Sequence, residues 1–274
     1  MTAPKAGLRP ARPPRGSREV AKQHSLESAP KAGLRPARPP RGSREVAKQH
    51  SLGNLALFDL DGTLIAGDSD HAFGEFMVSL GWVDAAEHRR RNDEFYRQYQ
   101  AGCLDINEYI LFTTGAWRHR PPAEQAAASA RFMAEVMQPQ LLPAAFALLR
   151  QHRDAGDLIA IVTATNEFIT RPIADALGVE HLLAVQLERD ASGAATGRIQ
   201  GVPTFREGKI ARVQQWLANL DHTLADVERS VFYSDSTNDL SLLERVSEPV
   251  ATNPSPALEA IALERGWRIL RLFP

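Results

Sequence analysis

The chain has 274 residues, 43% hydrophobic and 24% charged, which is enough for one large core or two modest ones. No apolar run is long enough to span a bilayer and no hydrophobic secretory stretch opens the sequence, so a soluble, cytoplasmic protein is expected. The single cysteine, Cys103, excludes an internal disulfide framework and a multi-cysteine zinc site.

The near-zero net charge of -1 hides an asymmetry. Residues 1–52 carry 12 Lys/Arg against 3 Glu, and the remainder carries 20 Lys/Arg against 30 Asp/Glu. Residues 3–26 recur unchanged at 29–52, each copy with four prolines and almost no large apolar side chain. Such a segment cannot bury enough surface to offset its ordering entropy, and its units lack a face to stack, so residues 1–52 are expected to be disordered. They read either as a basic arm for nucleic acid or anionic lipid, or as a recent duplication or over-long gene start. The acidic remainder does not suit nucleic acid, whose affinity comes largely from basic contacts. The folded part is expected to begin near Gly53.

Asn54–Phe58 (NLALF) is a short apolar run stopped by Asp-Leu-Asp-Gly-Thr, the pattern of a buried strand ending in a polar turn. Phe73, Phe76, Met77 and Leu80 fall at helical spacing, with Gly81 to close that helix. Asp84–Gln100 reads as a charged helix carrying Phe95, Tyr96 and Tyr99. Asp105 and Glu108 resemble a capping box before Ile106, Tyr109 and Ile110, and Pro121–Pro122 opens a helix whose Phe132, Met133, Val136 and Met137 face inward. Residues 71–140 are therefore read as an all-helical insertion.

Beyond it, a helix ending near Gly156 leads into the strand Leu158–Val162 and a helix from Glu167 to Leu177. Leu182–Leu187 reads as a strand, with Gly193 and Gly197 at turns around a short antiparallel excursion. Lys209–Leu220 is a helix, Ser230–Tyr233 a strand, Asp239–Val246 a helix, Pro249–Thr252 extended, Ala257–Arg265 a helix and Trp267–Leu270 a last strand. This alternation predicts an α/β fold, a doubly wound parallel sheet with helices on both faces. In such sheets ligands bind beyond the carboxyl ends of the strands.

Four clusters fall at those ends. In Asp59-Leu60-Asp61-Gly62-Thr63 two carboxylates one residue apart can point the same way, and Gly62 permits a sharp turn. The same string is also a common loop; a calcium loop is disfavoured because no Glu follows at the required spacing. Thr163 could donate to a phosphate oxygen or cap the next helix. Lys209 is either a functional cation or a solvated surface lysine. Ser234-Asp235-Ser236-Thr237-Asn238-Asp239 could bind a hard cation or make Asx turns and an N-cap.

Taken in order, these clusters resemble the four-motif signature of the haloacid dehalogenase superfamily, in the phrases FDLDGTL, IVTATN, EGKI and YSDSTNDL. The resemblance covers residues 54–274, and the helical insertion after the first motif is similar to the cap of the phosphoserine phosphatase-like and histidinol-phosphatase-like subgroup. It implies a Rossmann-like core (53–70 and 141–274) with a small helical cap (71–140). Ser234 departs from the family's usual Gly, with little effect expected.

The resemblance further implies a Mg²⁺-dependent phosphatase acting on a small phosphorylated metabolite. Asp59 would be the nucleophile and Asp61 the general acid and base. Asp59, the Asp61 backbone carbonyl and Asp235 would hold Mg²⁺. Thr163, Ala164, Gly62, Asn238 and Lys209 would contact the phosphate, and Asp239 would orient Lys209 or a metal-bound water. Asp at 61 separates the chain from members that cleave carbon–halogen bonds, which lack it. Cap-side candidates for substrate choice are Asp68, Ser69, His71, Phe112, Trp117, Arg118 and His119, with packing or surface roles as the alternative for His71, Trp117 and His119. The Thr163-Ala164-Thr165-Asn166 turn, not Gly-rich, leans toward histidinol phosphate; phosphoserine, another small metabolite or phosphotransfer are the alternatives, and a non-enzymatic reading would rest on the basic segment. No Gly-x-Gly-x-x-Gly or P-loop string supports a nucleotide site.

Overall fold

The computed structural model describes residues 52–273, so the duplicated segment, apart from Leu52, lies outside the described residues. The chain enters through strand β1 (Gly53–Phe58) and then forms five helices: α1 (Ser69–Ser79), α2 (Ala85–Gln100), α3 (Ile106–Gly115), α4 (Pro122–Phe132) and α5 (Pro143–Asp154). A π-helical turn, Met133–Met137, continues α4. Strand β2 (Leu158–Asn166), α6 (Glu167–Ala176) and β3 (His181–Val185) follow, then the hairpin β4 (Leu187–Arg189) and β5 (Ala195–Ile199). The chain closes with α7 (Glu207–Ala218), β6 (Val227–Ser234), α8 (Leu240–Leu243), β7 (Glu248–Thr252), α9 (Pro256–Arg265) and β8 (Arg268–Leu270). No single helix among the described residues is long and apolar enough to cross a membrane.

Six strands form one sheet in the order β3-β2-β1-β6-β7-β8, every pairing parallel, and β4 and β5 form a separate antiparallel pair. Strand residues point alternately to the two faces, and each face has its own core. Ala56, Phe58, Ile161, Val231 and Tyr233 pack on one side with residues of α1, α5 and α6. Leu55, Leu57, Ala160, Val162, Phe232 and Ala251 pack on the other with residues of α7, α8 and α9. The chain winds outward from β1 through β2 to β3, then returns to β6 on the other side of β1. The strand order therefore reverses between β1 and β6, which leaves a crevice at their carboxyl ends.

The structure departs from the expected elements at four places. Strand β2 runs on through Thr163, Ala164 and Thr165 to Asn166, where a turn was expected. The Thr163 hydroxyl accepts the Thr165 N–H at 3.1 Å, and the register with β3 shifts between Val162 and Asn166, so the chain bulges there without leaving the sheet. Asn166, rather than Thr163, caps α6 by accepting the Phe168 N–H. The predicted strand 182–187 is broken at Gln186, where the chain leaves the large sheet for the hairpin, and Gly197 lies within β5. The predicted helix 239–246 is a 3-10 turn, Thr237–Asp239, followed by the four-residue α8.

Candidate active site

Asp59 is the first residue after β1, its N–H bonded to the Tyr233 carbonyl of β6 at 2.9 Å, so the sheet itself fixes its backbone. The Leu60 carbonyl accepts N–H groups from Thr63, Leu64 and Ile65, curling the chain into a tight turn. Gly62 sits in that turn at φ +71°, and a Cβ there would lie 2.4 Å from an Asp235 carboxylate oxygen. Only glycine allows so close an approach of backbone to the neighbouring loop. Asn253, just after β7, donates its side-chain amide to the Gly62 carbonyl at 2.9 Å and pins the turn from the opposite strand end.

The predicted residues converge. Lys209, in the first turn of α7, is 2% exposed and donates to Asp59 Oδ1 at 2.9 Å and to Asp239 Oδ2 at 2.7 Å. Asp61 accepts the Ser69 N–H at 2.6 Å on one oxygen and the Thr165 hydroxyl at 2.9 Å on the other. Asp235 follows β6, with the Thr63 hydroxyl 3.5 Å from one oxygen. Asp59, Asp61, Gly62, Thr163, Ala164 and Asp235 line one cavity of about 610 Å³. Asn238 does not line it: its side chain bonds the Tyr99 carbonyl and receives Arg206. Lys209 and Asp239 are not among its lining residues, but Lys209 reaches it through its bond to Asp59.

Electrostatically the site is short of positive charge. Burial pushes the Asp59 carboxyl well above its ordinary value, and Asp239 and Asp235 push the same way against the opposing pull of Lys209. Burial, then Asp68, raises Asp61 to about 6, and burial, then Asp239, raises Asp235 to about 7. Burial works against the Lys209 charge, but Asp239 and Asp59 outweigh it and hold the ammonium above its usual range. One ammonium thus faces the four carboxyl groups of Asp59, Asp61, Asp235 and Asp239. Two like charges 4 Å apart repel by about 4 kcal/mol at an effective dielectric near 20.

That deficit fits a hard divalent cation. Among the described residues no three His, Cys, Asp or Glu side chains converge as a complete ligand cage. The donors on offer are two carboxylates and backbone carbonyls beside a roomy cavity, which suits an ion that keeps several of its waters, as magnesium does.

The cavity also corrects the cap-side expectations. Asp68 and His71 line it; Asp68 N-caps α1 through the N–H groups of Asp70 and His71. Ser69 is not among the lining residues and meets Asp61 through its backbone N–H. Phe112 packs between His88 and Phe95, and Trp117 is buried and stacked on Phe168. Arg118 bonds the Leu111 carbonyl and His119, and neither Arg118 nor His119 lines the cavity. The insertion instead contributes Asp70 from α1, Asn92, Phe95, Tyr96 and Tyr99 from one face of α2, and Tyr109 from α3. The i, i+3, i+4, i+7 spacing of 92, 95, 96 and 99 was the available signal. The Ser234 hydroxyl, expected to be idle, donates to Asp239 Oδ2 at 2.7 Å.

Residues 56–244 match the haloacid dehalogenase-like hydrolase family. The histidinol-phosphatase of Neisseria meningitidis is 45% identical over 217 residues, spanning 79% of this chain and 98% of that protein. A protein of unknown function from Bordetella pertussis, solved as a crystal structure, is 48% identical with a TM-score of 0.76, covering 80% of this chain and 99% of its own. A substrate-bound phosphoserine phosphatase superposes with a TM-score of 0.57 at 16% identity, over 79% of this chain and 91% of its own, a likeness of fold alone.

Proposed function

The chain belongs to the haloacid dehalogenase-like hydrolase family, and from that premise we propose that it is a magnesium-dependent phosphomonoesterase whose favoured substrate is histidinol phosphate. The observation that carries this reading is the convergence of Asp59, bonded to Lys209 at 2.9 Å, with Asp61 and Asp235 on one cavity at the switch point of the sheet. The 45% identical histidinol-phosphatase supports the choice of substrate.

In the proposed reaction, Asp59 attacks phosphorus through Oδ2, because Oδ1 is held by Lys209. The bond from phosphorus to the alcohol oxygen breaks, and the carboxyl of Asp61 gives its proton to that oxygen. In the second half, Asp61 takes a proton from water, the water oxygen attacks phosphorus, and Asp59 is released. A carboxyl titrating at about 6 is divided between its two forms near neutral pH, as a group that serves first as acid and then as base requires. Ser69 N–H and Thr165 aim its two oxygens. The Thr163 hydroxyl accepts from Thr165, so its own O–H remains to donate to a phosphate oxygen. Lys209 and backbone N–H groups of the Asp61–Gly62 turn share that task.

Magnesium would be held by Asp59, Asp235 and the Asp61 backbone carbonyl, and when bound it offsets the charge of the phosphate and its surrounding carboxylates. The division into a core (53–70 and 141–274) and a cap (71–140) belongs to the same proposal, with the boundary inside the first turn of α1. The test is phosphate release from a panel of small phosphomonoesters, with magnesium and with EDTA, for the wild type and Asp59→Asn. Magnesium-dependent turnover that vanishes in the variant is expected; full activity in Asp59→Asn would remove the nucleophile and the reading with it.

A further inference from the structure

Asp70 stands out among the polar groups around the cavity. It lies in the first turn of α1, is 4% exposed, and lines the cavity, yet neither carboxylate oxygen completes a well-formed hydrogen bond, the Tyr109 hydroxyl standing close enough only to pull its carboxyl down. Asn92 on α2 lines the same cavity, is equally buried at 4%, and has an unpartnered side-chain amide nitrogen. Buried acceptors and donors left open cost stability unless a ligand completes them. Aromatic residues from α2 and α3, Tyr96 and Tyr109 among them, line the same cavity, and the face of an aromatic ring attracts a cation.

The basic side chains on the wall are His71 and Arg271, and the Arg271 guanidinium is committed to Glu259. A ligand carrying a carboxylate beside its phosphate would meet five aspartates and no open guanidinium. A ligand carrying a protonated nitrogen base would favour the ionised form of Asp70, displacing the proton that burial otherwise keeps on it, and would pair with the carboxylate so formed.

We infer that Asp70, with Asn92, selects the alcohol half of the substrate, so that the protein takes phosphomonoesters of cationic amino alcohols in preference to those bearing a carboxylate. This rests on the phosphomonoesterase reading and adds a specificity-determining residue to it.

The test compares kcat/KM on histidinol phosphate, O-phosphoserine and p-nitrophenyl phosphate for the wild type and Asp70→Asn. The wild type should favour histidinol phosphate over O-phosphoserine, and in Asp70→Asn the ratio of histidinol phosphate to p-nitrophenyl phosphate should fall at least about tenfold, mainly through KM, as for a lost hydrogen bond to a charged group. An unchanged ratio in a folded variant overturns the inference. So does a wild type that hydrolyses p-nitrophenyl phosphate and prefers O-phosphoserine, an outcome that leaves the phosphomonoesterase reading standing. Should the variant fail to fold, inhibition of the wild type decides. Histidinol should inhibit p-nitrophenyl phosphate hydrolysis where glycerol does not, and equal inhibition by the two overturns the inference. Release of phosphate from none of the three esters removes both readings together.

Discussion

Ser234 and Lys209 meet on a single atom: the hydroxyl of one and the ammonium of the other both reach Asp239 Oδ2 at 2.7 Å. The serine hydroxyl also accepts the Ser236 N–H at 3.2 Å, so it ties the carboxylate to the turn that carries Asp235. A residue that looked like a small stand-in for glycine is part of the scaffold that aims the lysine.

Ser234→Ala is expected to cost about 1 kcal/mol of stability, the usual worth of a buried hydrogen bond, and to lower kcat several-fold while leaving KM close to wild type. Thermal melting and steady-state kinetics check this together. Wild-type values in both would show that Lys209 alone positions Asp239.

Gly62→Ala places a Cβ against the Asp235 carboxylate in a residue at φ +71°. The clash is expected to displace Asp235 and to weaken metal binding, with backbone strain of roughly 1–3 kcal/mol added. The readout is the rise in melting temperature on adding magnesium, expected for the wild type and largely lost in the variant. EDTA should abolish wild-type turnover, and added magnesium should restore it.

Arg206 joins the helical insertion to the core. It donates to the Gly102 carbonyl and reaches Asn238 Oδ1 at 3.4 Å, while Asn238 holds the Tyr99 carbonyl at 3.2 Å. Its backbone is at φ 53°, ψ -125°, a region that glycine adopts freely and other residues adopt only under strain. Arg206→Gly and Arg206→Ala should therefore lose the same amount of activity, since both lose the guanidinium. The Gly variant should be the more stable of the two by about 1 kcal/mol. Equal melting temperatures would mean that the strain is not felt.

Burial, then Asp68, holds the Asp70 carboxyl well above its ordinary 3.8, with the Tyr109 hydroxyl opposing. The folded protein therefore keeps a proton there that the unfolded chain releases. The stability this group contributes is full below pH 3.8 and is lost as pH rises to the folded value. Asp70→Asn cannot lose that proton. Its melting temperature relative to wild type should rise between pH 4 and pH 8, by roughly 2–4 °C per kcal/mol for a protein of this size. A difference that is flat with pH would place the charge of Asp70 in contact with solvent.

Asp59, Asp61 and Asp235 were legible because they sit where a strand stops. An apolar run ending in Asp-x-Asp-Gly-Thr or in Ser-Asp-Ser places its polar residues at the sheet edge whatever the rest of the chain does. Asn253 follows β7 at that same edge, but a lone Asn after a strand carries no pattern of its own, and its role depends on a turn 190 residues away. Asp70 was hidden by phase, since which of Asp68 and Asp70 caps α1 and which enters the cavity is decided by where the helix starts. Phe112 and Arg118 failed for the opposite reason: their chemistry suggested recognition, and packing turned them elsewhere, while Trp117 and His119 took the packing and surface roles that the sequence also offered. Strand β2 outran its apolar run because a threonine hydroxyl could satisfy the bulged backbone locally.

The position of β1 in the sheet bears on how the protein comes to be active at all. Its two neighbours, β2 and β6, are supplied by segments that follow it at long range, and β6 also brings Asp235. A ribosome must therefore release the chain beyond Asp235 before Asp59 meets its partners, and contacts so distant in sequence form slowly. Catalytic competence should consequently emerge late in folding, with no fragment that stops short of β6 retaining a share of it.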